Sequence, residues 1–323
     1  MGFEWFGHHK ILRVVKLTAK VINEEPLRVG AGPGKSVFEP IDLVVLKVRD
    51  PSGRLRPVIP GSSWKGIFRA TAFSIATGEG LKVCSGVPNQ TCLRGDEFYS
   101  LEKIRESRDF REKLQSILRG EPSVCPLCLI FGTPSLASHL NFYDSMPSGE
   151  YSLGYRTGVA INRKTGAAAR GALFTVEYVE PGCTFDFTVV AENLPNYALG
   201  LLVEVMDLIN AGIVRVGGLK SRGFGRVRFE NCRLEVYSLK HEKYGVSEGV
   251  LKPLDPLDTP VTWHGSSGSS IAVSEGEAAL KVMEELRKAW RGSLNKLREV
   301  QVKGGGRWRW EVAVSGVQES EHH

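Results

Sequence analysis

Four cysteines carry the clearest chemistry in the sequence. Cys125-Pro126-Leu127-Cys128 forms a C-x-x-C knuckle, and Cys84 and Cys92 form a looser pair with seven residues between them. Four thiolates brought together make a closed tetrahedral zinc site, an arrangement that is structural rather than catalytic. The surrounding segment has few apolar residues, so a metal would supply the core it lacks. The alternative is unpaired cysteines, with His139 as a substitute ligand. Cys183 and Cys232 fall in strand-like runs and read as small buried residues.

A second group is cationic. Gly217-Gly218-Leu219-Lys220-Ser221-Arg222-Gly223-Phe224-Gly225-Arg226-Val227 sets four glycines among three basic residues. Glycine lets the backbone turn into left-handed conformations and approach another chain. Exposed N–H groups with flanking cations suit phosphate. Taken alone, the segment also fits a plain tight turn. Lys65 and Arg69 lie four apart, on one face of a helix. Arg28, Lys220 and Arg222 are candidates to join them around a phosphate backbone, with Gly217, Gly218, Gly223 and Gly225 exposing main chain. Residues 151–176 contain no acidic side chain but carry Arg156, Arg163, Lys164 and Arg170. This stretch fits a basic β-hairpin or a plain surface loop.

The elements that must position these groups follow from periodicity. Residues 11–22 alternate as a half-buried strand. Ser62 and Ser63 are good N-cap residues for a helix over 64–76. Residues 77–138 look like an insertion, with a charged helical segment at 101–118. A strand is expected at 139–144. Two more are expected at 173–179 and 184–191, joined as a hairpin at Pro181-Gly182. Apolar spacing predicts a buried helix over 196–211, and 227–236 reads as a last core strand. Strand, helix, two strands, helix, strand is the βαββαβ order of a ferredoxin-like or RRM-like domain. Residues 250–270, rich in Pro, Gly and Ser, read as a linker; 275–299 read as a charged helix and 307–314 as a short strand.

Composition sets outer limits. The 323 residues are 42% hydrophobic, with a net charge of +6. A core is affordable, and the mild basic excess favours an anionic partner without requiring one. No run of 18 apolar residues occurs, so no transmembrane helix is expected. With no apolar signal core in residues 1–10, a cytoplasmic location is the default.

Four motifs, in order, resemble RAMP-superfamily CRISPR proteins. Leu27-Arg28-Val29-Gly30-Ala31-Gly32 is similar to the segment after the family's first strand. Val58-Ile59-Pro60-Gly61-Ser62-Ser63-Trp64-Lys65-Gly66-Ile67-Phe68-Arg69 resembles its first-helix block, and Ile130-Phe131-Gly132 resembles a further element. The fourth is the glycine-rich loop at 217–227. The resemblance covers residues 11–237 and is strongest to the repeated backbone subunit of type III effector complexes. It implies an α+β fold: a ferredoxin-like/RRM-like core at 1–76 and 139–240, a zinc-binding insertion at 77–138 and a thumb hairpin at 151–171. Residues 250–323 form a C-terminal extension beyond the family's usual end.

The resemblance also implies function. Such subunits polymerise along CRISPR RNA with other type III effector subunits and hold it for pairing with target RNA. Asp42 matches the family carboxylate that cuts target RNA with Mg²⁺; Asp50 matches a second Asp, in a turn. Glu39 is the nearby substitute if the register is displaced. RNA contacts at Arg28, Lys65, Arg69, Arg163, Lys164, Arg170, Lys220 and Arg222 should be sequence-independent and salt-sensitive. Zinc at Cys84, Cys92, Cys125 and Cys128 has parallels in some members. The competing readings are a non-catalytic scaffold and a metal-independent endoribonuclease that matures CRISPR RNA, for which the sequence shows no convincing His/Tyr/Lys set. His139 is the alternative to Asp42 for metal-independent cleavage.

Overall fold

The computed structural model describes residues 2–30, 41–87, 90–93, 110–161 and 168–313. Its elements begin with β1 (Val14–Asn23), β2 (Lys47–Arg49), β3 (Leu55–Pro57), α1 (Gly61–Gly78), α2 (Phe110–Arg119) and α3 (Pro126–Phe131). Next come β4 (Leu140–Phe142), β5 (Leu153–Ile161), β6 (Ala168–Val179), β7 (Thr184–Glu192), α4 (Asn196–Asn210), β8 (Val227–Tyr237) and α5 (His241–Tyr244). The chain closes with β9 (Val246–Ser247), β10 (Val250–Leu251), β11 (Val261–Thr262), β12 (Ser266–Ser267), β13 (Ile271–Glu275) and α6 (Glu277–Lys303).

This is a mixed α and β protein built on a large antiparallel sheet in the order β12-β13-β8-β1-β7-β4. β1 alternates buried and half-buried residues along its length, with Val15, Leu17, Ala19 and Val21 inward, as a period of two demands. Its register sets Leu17 between Val189 and Leu234. Pairing with β8 slips between Thr18 and Lys20. Asn231, at φ 51°, is the extra residue, and the bulge keeps both Phe229 and Cys232 on the buried face.

α1 covers that face. Trp64 meets Phe187 at 5.1 Å, and Phe68 meets Phe142 at 5.0 Å, ring centre to ring centre. The helix begins earlier than its sequence suggests, at Gly61, and Ser62-Ser63 fall inside its first turn. The reason is tertiary. Asp144, just after β4, accepts the Gly61 N–H at 2.8 Å and does the capping. A Cβ at position 61 would collide with the Phe142 carbonyl, so the close approach requires glycine. α4 is started the same way: Asp258 accepts the N–H groups of Asn196 and Tyr197.

Several expectations are corrected. β6 and β7 do not form a hairpin: β6 pairs with β5, while β7 joins the main sheet. Pro181-Gly182 therefore carries the chain between sheets, with Gly182 donating to the Asn23 carbonyl. Residues 250–270 are not a linker. Leu251, Leu254, Leu257, Val261 and Trp263 between their turns are all buried. The strand expected at 307–314 is absent among the described residues; Trp308 and Trp310 alternate with polar residues like a strand but stack at 5.2 Å without pairing. Their indole N–H groups donate to the Lys82 and Val124 carbonyls, tying the tail to the cysteine-bearing segment. Of the helical segment expected at 101–118, residues 101–109 lie outside the described residues.

The extension docks on the core. β13 adds a strand beside β8, and α6 lies along α4 so closely that a Cβ on Gly200 would strike the Leu286 carbonyl. That second cover explains why α4 is buried on nearly every side.

Candidate nucleic-acid interface

The glycine-rich loop is folded by main-chain bonds to the segment that leaves β1. Gly218 N donates to Arg28 O at 2.8 Å, and Gly225 N donates to Pro26 O at 2.9 Å. Val216 N closes the loop on Gly225 O. Gly217 and Gly225 take φ values of 82° and 87°, and a Cβ on either would run into a carbonyl, of Arg28 and Val216 respectively. Both positions thus need glycine for conformation and for space.

This packing opens a groove of about 630 Å³. One wall is Arg28, Gly30, Gly217, Gly218 and Lys220; the other is the α1 face bearing Ser63, Gly66, Ile67 and Ala70. Small side chains on that face let an extended strand lie close, and the opposite wall offers the cations Arg28 and Lys220. Burial lowers the Arg28 pKa, and its Nε is buried without a hydrogen-bond partner among the described residues. A buried donor left unmatched is costly.

The expected cationic set is only partly gathered here. Arg28, Lys220, Gly217 and Gly218 line the groove. Arg222 lies over the Phe174 ring at 5.9 Å, and Arg156 over Phe224 at 5.6 Å, so the loop rests on the β5–β6 hairpin. Gly223 takes φ 77° at the loop's far turn. Lys65 is not in the groove lining; burial, then the Arg69 charge, lowers its pKa. Arg69 is turned to the other side of α1, toward the cysteines. Arg170 falls on β6, whereas Arg163, Lys164 and Glu39 lie outside the described residues. The groove's Ser63, Gly66 and Ala70 were missed from sequence. Their spacing of three and four along a helix was the available signal.

Asp42 is held beside the hairpin. Its Oδ2 accepts the Thr175 N–H at 2.8 Å, and its own N–H donates to Thr175 O. Leu43, its neighbour, reaches the groove lining. Glu177 braces the same place, accepting from Val45 N and pairing with Lys47 at 2.6 Å. Asp50 caps its own turn through Ser52 and Arg54. His139 is almost fully buried, hydrogen-bonded to Glu192 O and stacked on His8 at 4.0 Å. Burial, then the nearby His8, pushes its pKa down to about 3. It is a core residue with no access to a substrate.

The four cysteine sulfurs all lie within 4.8 Å of one another. Zn–S bonds of about 2.3 Å set tetrahedral S···S edges of roughly 3.8 Å, so the set matches a metal such as zinc. Cys125 stands at the N-terminal boundary of α3, and its N–H donates to Cys92 Sγ. Hydrogen bonds from the other three thiols drive the Cys128 thiol down. His139 is not part of the cluster.

A family model of the RAMP superfamily matches residues 23–228. The chain belongs to the RAMP superfamily. In this RAMP protein the matched span runs from the last residue of β1 into β8 and contains the groove, Asp42 and all four cysteines. The docked tail lies beyond it. No curated protein matches the chain. RAMP membership points to a CRISPR-associated, RNA-binding role, in a superfamily whose proteins typically bind CRISPR RNA and form complexes. Among the described residues, no helix is long and apolar enough to cross a membrane.

Proposed function

We propose that this RAMP protein binds CRISPR RNA as a repeated backbone subunit of a type III effector complex. It would act in the cytoplasm, beside other copies of itself and other effector subunits, holding the guide for pairing with target RNA. The observation that carries this reading is the groove, where a cationic, glycine-exposed wall faces a smooth helix face. Such a site grips phosphates and ribose without reading bases. The strand order β8-β1-β7-β4, with α1 and α4 as crossovers, supports a ferredoxin-like core under it. The β5–β6 hairpin resting on the loop supports the thumb assignment.

The direct test is retention of CRISPR RNA by the purified chain across a salt series, followed by electron microscopy. A ladder or filament on the guide is expected. Absence of retention at low ionic strength would sink the proposal.

Cleavage of target RNA by Asp42 is the further part of this reading. The Thr175 N–H fixes the carboxylate beside the middle of the β5–β6 hairpin, where it could hold Mg²⁺ beside a phosphate or take the ribose 2′-OH proton. Apart from the cysteines, no group of three or more metal-ligating side chains gathers among the described residues. Mg²⁺ would therefore depend on Asp42, phosphate oxygens and water. Asp42→Asn in the assembled complex should abolish cutting and leave guide binding intact. Unchanged cutting would leave the non-catalytic scaffold as the better reading. The metal-independent route through His139 is disfavoured by that residue's burial.

The cysteine set is read as a structural zinc site. It would fasten the loop bearing Cys84 and Cys92 to the buried helix α3; metal analysis of the purified chain should return one zinc per protein.

A further inference from the structure

Arg69 occupies a place that its spacing from Lys65 does not suggest. Its Nη1 donates to the Gly132 carbonyl at 2.6 Å, and its Nη2 reaches Cys128 Sγ at 3.6 Å. Two glycines close over it. Gly132 follows α3 at φ 77°, where a Cβ would press on the Leu136 carbonyl at 2.8 Å. Gly86, two residues after Cys84, is at φ 86°, and a Cβ there would overlap the Arg69 guanidinium. The loop after Cys84 is thus packed directly on this side chain, and the turn after the C-x-x-C knuckle offers it the Gly132 carbonyl. Its Nε is buried with no partner among the described residues.

We infer that Arg69 is the charge partner of the metal centre and not an RNA contact. The inference rests on reading the four cysteines as a zinc site. Zn²⁺ with four thiolates carries a net charge of −2, which a poorly solvated site tolerates badly. A guanidinium donating to one sulfur removes part of that charge and fixes the ligand's direction, as partners behind metal ligands generally do. Arg69 is a positioning residue in this sense. It also joins the two sites, because α1 presents Arg69 to the cysteines and Ser63, Gly66 and Ala70 to the groove.

The test uses the full chain, wild type against Arg69→Ala and Arg69→Lys. Zinc content, zinc transfer to a colorimetric chelator, and guide-RNA affinity across a salt series are measured. Arg69→Ala should give up zinc about 10- to 100-fold more readily, with the salt dependence of RNA binding unchanged. Arg69→Lys should recover part of the retention. Cobalt(II) in place of zinc adds a readout that general loosening would not move. In the folded, loaded Arg69→Ala protein the sulfur-to-cobalt charge-transfer band should shift to longer wavelength, since the sulfur has lost a donor. Unchanged zinc retention, an unmoved cobalt band, or a salt slope reduced by about one, as expected for a lost phosphate contact, would each overturn the inference. A wild-type chain purified without zinc would instead remove the zinc reading itself, and this inference with it.

Discussion

Two arginines bracket β1, and their surroundings could hardly differ more. Arg13, just before the strand, has no exposed surface and is saturated: Nε and Nη2 donate to Leu194 O, Nη2 to Asn196 Oδ1 and Nη1 to Lys252 O. Burial lowers its pKa to about 10, against the opposing pull of Asp258 and Asp255, so it stays charged at neutral pH. Arg28, just after the strand, packs against Gly30 and Gly218 at the groove, with a buried Nε unmatched among the described residues. The first arginine organises the tail: Asp258 also caps α4, and Asp255 gathers the Trp5 and Tyr197 side chains. The second has donors to spare. Arg13 spends its donors on carbonyls of the fold, whereas Arg28 lines the groove where a ligand would lie.

The sharpest way to break the comparison is to remove each cation in turn. Arg13→Met leaves the buried Asp258 without its counter-charge and should cost about 3–5 kcal/mol, read from urea denaturation. A loss below about 1 kcal/mol would show that the network is not structural.

Next come the loop glycines on the Arg28 side. Gly225→Ala forces both a strained φ and a collision with Val216 O, and about 2–3 kcal/mol of stability should go, with guide binding falling in parallel. Gly223→Ala meets no atom within 4 Å and should cost only about 1–2 kcal/mol for its left-handed backbone. Equal melting temperatures for the two variants would contradict the close-packed loop.

The closed side should also respond to pH. The folded His139 pKa of about 3 lies below its ordinary value of 6.5. As pH falls through 6.5 the unfolded chain takes up a proton that the folded chain refuses. His139's contribution to stability is therefore full above that pH and declines toward pH 3, by about 2 kcal/mol between pH 7.5 and 5. Asp255, pushed up to about 7 by burial and then by Asp258, works in the opposite direction over the same window. His139→Gln should remove that decline from paired denaturation curves, whereas a pH dependence identical to wild type would show that His139 does not carry it.

The smallest expected effect on stability is at the groove. Arg28→Ala and Lys220→Ala should each change stability by no more than about 0.5 kcal/mol. Each should lower the salt slope of guide-RNA binding by about one. A large stability loss at Arg28 would erase the distinction between the two arginines.

Much of this was legible in the order of residues. Alternation in β1, β7 and β8 places the core strands nearly to the residue, because each buries one face against the helix layer. The dense apolar run of α4 marks a helix covered from both sides. The positive-φ glycines of the 217–225 loop and the four cysteines declare themselves by residue type, since few other side chains meet those steric and ligand demands. Arg69 and the tail were not legible. Lys65 and Arg69 do share a helix face by spacing, but which neighbour each meets depends on where the cysteine loops fold back. The two core helices take their caps from Asp144 and Asp258, residues remote from them in sequence, so no local signal could mark those starts. Residues 250–270 resemble a linker because turn residues outnumber apolar ones; only packing shows that the few apolar ones suffice. Sequence alone determined which groups can bind metal and phosphate, because that is a property of side-chain chemistry. Tertiary structure alone decided which cations are spent on the fold and which are left for a ligand, because a hydrogen-bond donor is used up only when an acceptor from elsewhere in the chain arrives beside it.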